Sequence, residues 1–407
     1  MQETACQGTC LNRASTKDLT FYLPFAYQCT VLFFRSPQCD EQRPQCSNCV
    51  NRRVDCEYAN PGSLVWPKQS GPATVVGREG LQNVEHTLNS LAIFNQFINS
   101  VNISGPAVSV PVVNFRDLEL MVQWCTSTYL GLSRDEQTQH IWQSIVPREA
   151  GSHPFLMHGL LAFSALHLAR SSQGAADTYL AVSVAHQNQA LTLFRPLIED
   201  INATNANAMF ALSGIITAFG FGFPQVSSPR QTLAPVDNFV RIMILARGMQ
   251  DVLNAAMNWV RNGELGYLLH LDDYEPGLRP DAAQAIKQLR QRNVACSGQA
   301  ELEVYIHTID QLEIMMERLH GGCPRPSLAV LWSVKVPGKY VVLLGNHDPM
   351  ALLILAHFCV VLHDLSAYWW LRGWGSTMLA AIWTSLESSW RESMHWAMAV
   401  TGTNVVM

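Results

Sequence analysis

Residues 153–170 read HPFLMHGLLAFSALHLAR. Ser152 ahead of His153 and Pro154 makes a helix start, because a first turn has amides without partners and accommodates proline. Behind it Leu156, Leu160, Ala162, Phe163, Leu166 and Leu168 give a nearly all-round apolar surface. A helix that is apolar on every side belongs in the middle of a domain. Similar periodicity extends outward in both directions. Downstream, Ala176–Phe194, Asn207–Phe221, Asp237–Val260, Arg279–Gln291, Ala300–His320, Met350–Leu371 and Ser376–Thr401 read as helices, each bounded by Pro, Gly or Asn. Upstream, Phe115, Leu118, Met121, Val122 and Cys125 share one helical face, and the large domain begins near Asn114. Alternating patterns are scarce. VLWSVKV (330–336) and YVVLLG (340–345) are the only short strand candidates. All-α is the expected fold class.

Composition limits the function classes. With 48% hydrophobic and 14% charged residues the chain of 407 is too rich in core formers to be mainly disordered. A net charge of −5 argues against sequence-independent nucleic-acid binding by the body of the protein, so any DNA contact needs a local patch. Cys125, Cys296, Cys323 and Cys359 stand singly among apolar residues, which is the pattern of reduced intracellular thiols. The apolar stretch Phe21–Phe34 contains Pro24 and Gln28, and at about 14 residues is too short for a bilayer span. It does not read as a secretory signal either, and no membrane partner is expected.

Four of the 11 cysteines crowd into residues 39–56, Cys39-DEQRPQ-Cys46-SN-Cys49-VNRRVD-Cys56. Structural zinc takes four soft ligands at tetrahedral corners, and a C-x2-C pair brings two thiolates to one ion from a single turn. Zinc is therefore the expected cofactor, with Cys39, Cys46, Cys49 and Cys56 as ligands. Residues 59–80 (ANPGSLVWPKQSGPATVVGREG) then read as a linker. A short helix follows around residues 84–101, where Val84, Leu88, Leu91, Ile98 and Val101 recur near helical spacing. Its apolar run covers about two heptads, which suits a docking helix better than a coiled coil. Residues 102–113 (NISGPAVSVPVV) form a second extended stretch.

The cysteine spacing resembles the second half of the fungal zinc binuclear cluster, a six-cysteine DNA-binding module with the pattern C-x2-C-x6-C, a loop usually carrying proline, then C-x2-C-x6-C. Cys39, Cys46, Cys49 and Cys56 match its third to sixth cysteines, and Pro44 lies in the loop. Cys6, Cys10 and Cys29 do not match the first half, and its run of lysines and arginines is absent. Residues 1–38 are thus an atypical segment, consistent with translated intron sequence in place of the first half-cluster. From Ser36 to Tyr58 the basic residues are Arg43, Arg52 and Arg53, against four carboxylates, a net of −1. The resemblance implies that DNA contact falls to these three arginines. It also implies a bridging position for Cys46 whose partner is missing, so the matching residues assemble one four-thiolate site. The segments FRDLELMVQWCTSTYLGLS, HPFLMHGLLAFSALHLA and PMALLILAHFCVVLHDLSAYWWLRGWGSTML resemble the regulatory domain of fungal transcription factors, in particular sterol-uptake-control-like regulators.

The resemblance implies residues 39–58 as a partial zinc cluster, 59–113 as a linker with a short helix, and 114–401 as a helical regulatory domain. It implies a nuclear regulator of a pathway gene set, for sterol uptake or secondary metabolism, that meets promoter DNA and a small apolar effector and that forms homodimers in some members. A second reading keeps the helical ligand- or protein-interaction domain and treats the zinc module as a vestige unable to bind DNA. Trp369, Trp370 and Trp374, together with Trp383, Trp390 and Trp396, suit a packed core seam or the wall of an apolar pocket, with core favoured. Met350, Leu353, Phe358 and Leu362 would line such a pocket.

No catalytic constellation is expected. His153, His158 and His167 lack the i, i+4 spacing that lets two imidazoles share an ion on one helix face, and His357 and His363 lack it too. Buried or capping roles suit them better. Asp272 and Asp273 have no acid, base or nucleophile at a recognisable spacing, and GFGF (220–223) reads as a helix end rather than a phosphate cradle.

Overall fold

The computed structural model describes residues 88–96, 99, 115–172, 174–227, 234–270, 275–322 and 325–403. The chain divides into two units, 1–72 and 73–407, and the described residues all lie in the second. Among them there is no strand. The all-α expectation holds.

The stretch at residues 153–170 becomes the central helix. We number the helices from α1 (residues 88–96) and α2 (Phe115–Thr126). Three short pieces follow: α3 (Glu136–His140), a π-helical turn at Ile141–Ile145, and α4 (Val146–Ala150). The hairpin of α5 (Pro154–Ser171) and α6 (Ala176–Phe194) is the most extensively packed pair, and α7 (Ala206–Val226) lies on its other side. Leu156, Leu160, Phe163 and Leu166 of α5 are all fully buried, as an all-round apolar helix requires. At Gly159 a Cβ would stand 2.3 Å from Leu212 Cδ1, so the α5–α7 contact depends on the missing side chain. α7 is long and apolar enough to cross a bilayer, but its side chains are mostly buried inside the domain, as in a core helix.

Next come α8 (Pro235–Arg261), α9 (Pro280–Cys296), α10 (Gln299–His320), α11 (Ser327–Lys335) and α12 (Gly338–Gly345). The last two are the stretches that read as strand candidates. Short apolar runs do not reveal their period, and here Leu328, Leu331 and Trp332 share the buried face of a helical turn. Both are helices, at an angle of 97° across Val336 and Pro337. The chain closes with α13 (Pro349–Asp364), α14 (Trp374–Ser385), α15 (Ser388–Arg391) and α16 (His395–Thr401).

Two other expectations are corrected. The helix expected over Met350–Leu371 stops at Asp364, and the chain turns through residues 365–373 to Gly373, whose φ is +91°. At Gly375 a Cβ would meet the Cys359 carbonyl oxygen at 2.6 Å, so α14 returns over α13 too closely for any side chain. The helix expected over Ser376–Thr401 breaks near Leu386 and again at Glu392–Met394. Helical phase is lost there. Trp383, Trp390 and Trp396 consequently do not form a core seam and are only half-buried. Arg391 lies over Trp383 at 5.6 Å and Arg292 over Trp390 at 4.5 Å, while Trp396 stacks on His357 and donates to Asp281 Oδ2 at 3.0 Å. Such cation–π contacts let an indole stay partly wet without loss of packing.

α2 is turned partly away from its sequence pattern: Met121 of the expected face packs on Leu120, Leu161 and Val182 and Cys125 is half-buried, but the rest of the face is exposed. The face toward the domain carries Asp117, Leu120 and Trp124, whereas Phe115, Leu118 and Val122 point outward at 91%, 52% and 62% exposure. Polar partners override the hydrophobic pattern. Asp117 lies 3.5 Å from His186 Nε2, and Trp124 Nε1 donates to the Trp142 carbonyl at 2.8 Å.

Candidate functional site: an aromatic seam and the zinc-cluster stretch

Cys39, Cys46, Cys49 and Cys56, together with Arg43, Arg52 and Arg53, lie outside the described residues, as do Asp272 and Asp273. Donor chemistry still tests the metal. Four thiolates are the full donor set of one structural zinc. A two-zinc cluster needs six, and the remaining N-terminal cysteines stand at other spacings. Among the described residues no group of three or more metal-ligating side chains converges.

The residues named for an apolar pocket are all buried: Met350, Phe358, Trp369, Trp370 and Trp374, with Leu353 and Leu362 beside them on α13. The turn after α13 sends the three tryptophans inward, and each finds a different setting. Trp370 Nε1 donates to the Gly131 carbonyl at 2.7 Å, and Trp374 Nε1 to the Phe221 carbonyl at 2.9 Å. Trp369 lies flat on His167, with centroids 4.5 Å apart and planes 3° apart. A Cβ on Gly131 would be 2.5 Å from Trp369 Nε1, so the turn after α2 needs glycine to let the indole in.

Phe221 and Phe239 join these pieces. Phe221 contacts Trp370, Trp374 and Phe239; Phe239 contacts Trp374, Trp332 and Phe358. Trp332 stacks on Phe358 at 4.0 Å and meets Tyr340 edge-on. The result is an aromatic seam from Trp370 to Tyr340, joined through the neighbouring Trp369 to a second group in which that indole packs on His167 and Phe163. Met350 lies at the start of α13, eight residues and about 12 Å of helix rise from Phe358. Sequence reading missed Phe221, Phe239 and Trp332, and expected His167 to be buried without placing it on a tryptophan. Only Phe221 had a signal, since Gly220 and Gly222 flank it so that neighbours can close in: a Cβ on Gly222 would be 3.0 Å from Leu166 Cδ2.

The histidines take structural roles. His153 is the N-cap residue of α5, with ring nitrogens 2.9 Å from the Glu149 carbonyl and 3.0 Å from the Thr204 carbonyl. His158 and His186 face each other across the hairpin, Nδ1 to Nδ1 at 2.9 Å. If His186 Nε2–H is aimed at Asp117, its Nδ1 must accept, and His158 donates. Burial pushes His167, His186 and His357 down to about 4, so all three are neutral imidazoles at pH 7. Burial likewise lifts the Cys359 thiol far above its ordinary range, so it behaves as a small core hydrophobe. A separate groove of about 430 Å³ opens near Phe155, Leu193, Leu197 and Asn202, away from the seam.

Comparison with known proteins gives matches at both levels. The fungal Zn(2)-Cys(6) binuclear cluster domain matches residues 34–63, and the fungal specific transcription factor domain matches residues 125–234. The chain is 30% identical over 185 residues to sterol uptake control protein 2 of Candida albicans, covering 40% of this chain and 25% of that protein. The Saccharomyces cerevisiae protein of the same name is 33% identical over 105 residues, covering 26% and 11%. A Zn(2)-C6 fungal-type transcription factor of Gibberella zeae is 24% identical over 428 aligned positions, covering 90% of this chain and 83% of the relative. The chain thus spans a quarter or less of the two sterol uptake control proteins and most of the length of the third relative. The matched cluster domain is a zinc-binding one, and both matched domains are those of regulators rather than enzymes. Two domains of fungal zinc-cluster transcription factors, the cluster domain and the regulatory domain, are thus matched in order along this chain.

Proposed function

We propose that this chain regulates the transcription of a pathway gene set, acting in the nucleus. One observation carries the reading: a C-x6-C-x2-C-x6-C stretch and a helical domain occur in one chain, and a Zn(2)-C6 factor aligns with 90% of it. Cys39, Cys46, Cys49 and Cys56 hold one zinc ion, which supplies a rigid tetrahedral crosslink when bound. Arg43, Arg52 and Arg53 approach the phosphates and base edges of promoter DNA. The helical domain senses a small apolar effector along the seam of Trp369, Trp370, Trp374 and Phe358. The sterol uptake relatives make a sterol-responsive gene set the first to test.

A second reading is favoured by charge. Residues 36–58 carry a net of −1, and phosphate binding depends on concentrated positive charge. On that reading the chain is a helical interaction regulator whose zinc module no longer grips DNA. Electrophoretic mobility shift of the full chain, with and without chelator, separates the two when run beside a version carrying a restored basic half-cluster. Chelator-sensitive binding by the natural chain supports the first reading. Binding by the restored version only supports the second, and binding by neither removes the DNA role altogether.

A further inference from the structure

α1 (LNSLAIFNQ, residues 88–96) is too short to stay helical in water by itself, so docking is what holds it in shape. Leu91 and Phe94, three apart on one face, are buried at 0% and 2% exposure with Ser90 beside them, whereas Ile93 is 39% exposed. Phe94 meets Phe219 edge-on at 6.3 Å. A Cβ on Gly220 would stand 3.6 Å from the Phe94 ring, 3.1 Å from Leu245 and 3.7 Å from Ile242, so the seat of α1 is a groove between α7 and α8. Two further side chains reach it from α6 and the residue after that helix. Asn188 Nδ2 donates to Asn99 Oδ1 at 3.0 Å, and Arg195 Nη2 to the Leu91 carbonyl at 3.2 Å.

The same side chains also oppose the docking. Asn188 Oδ1 and Arg195 Nε are buried without a hydrogen-bond partner among the described residues. So are both ends of the amide of Gln187, the fully buried residue before Asn188. A buried polar group left unpaired carries a desolvation penalty, which water relieves when the site opens. Two large apolar anchors therefore work against a strip of unmet polar atoms. α5 has no such conflict along its buried Leu156, Leu160, Phe163 and Leu166. A short element with few buried side chains and local conflict falls at the low end of the stability range within a domain.

We propose that α1 is a releasable strap, which leaves its groove as a unit while the rest of the helical domain stays folded. Docked, its nine residues span about 14 Å of helix; released, they reach about 30 Å, so the strap sets the reach of the chain ahead of the domain. Hydrogen–deuterium exchange on the full chain tests this by comparing the amides of Ala92 to Gln96 with those of Leu160 to Leu166 in α5. The α1 amides exchange at least tenfold slower than in a free peptide of the same sequence, and at least tenfold faster than the α5 amides. Phe94→Ala returns α1 to the free-peptide rate and leaves α5 protected. Free-rate exchange of α1 in the wild type would show that it is not docked and overturn the proposal. Exchange of α1 at the α5 rate would make it part of the cooperative core and overturn it too. So would a Phe94→Ala chain in which α5 loses protection together with α1, and the wild-type comparison decides even where that variant does not fold.

Discussion

Single residues decide how closely the helices approach. Gly131 admits the Trp369 indole and Gly375 admits the Cys359 carbonyl, at would-be Cβ distances of 2.5 and 2.6 Å. Gly375→Ala meets backbone, which yields less than a side chain. It should cost about 1–3 kcal/mol, and a fall in the urea midpoint at unchanged m-value would show it. An unchanged midpoint would mean that α13 and α14 pack more loosely than the structure has them. The buried imidazoles act together on pH. Their folded pKa of about 4 is below the unfolded value near 6.5, so the folded state favours the neutral form. Their stabilisation is complete above pH 6.5 and is lost as pH falls toward 4, by up to about 1.4 kcal/mol per unit for each fully buried ring. Thermal unfolding at pH 7.5 and 5.5 should give a lower midpoint at 5.5. His357→Gln should flatten that difference, and an equal pH dependence in wild type and variant would refute the role given to His357.

Elements show what could be read from pattern and what could not. α6 runs over Ala176–Phe194, as its periodicity said, and α10 begins one residue before the expected start, because long amphipathic runs between clear breakers leave little choice. The ends of the chain's long apolar runs were harder. Nothing local in YWWLRGW says that the chain turns there; the turn is fixed by indole N–H groups reaching the Gly131 and Phe221 carbonyls, 239 and 153 residues away. Trp370→Phe tests that tie. It should lose about 1–3 kcal/mol, because the Gly131 carbonyl is left buried without its donor, and chemical denaturation would report it. α2 failed for a related reason. Met121 of its apolar stripe still packs inward, yet Asp117 with His186 and Trp124 with Trp142 turn Phe115, Leu118 and Val122 outward, and such cross-helix pairs leave no mark in periodicity. Of the seam, the tryptophans were legible by their density, whereas Phe239 and Trp332 became part of it only through tertiary packing.

At the scale of the whole molecule, two parts with different physics share one chain. The helical domain stands on burial of apolar surface, and its fold class was plain from composition and period. The zinc-cluster stretch has too few apolar residues to build a core of its own, so metal must supply its stability. The cysteine pattern therefore sets a stoichiometry. In the proposed reading the four matching thiolates hold one ion, where a six-cysteine cluster would hold two. Zinc counted by native mass spectrometry on the full chain is the most direct test. One zinc per chain is expected, lost in Cys46→Ser with the helical domain still folded by circular dichroism. A chain that carries no zinc, or that keeps its zinc in Cys46→Ser, would contradict the metal-held regulator described here.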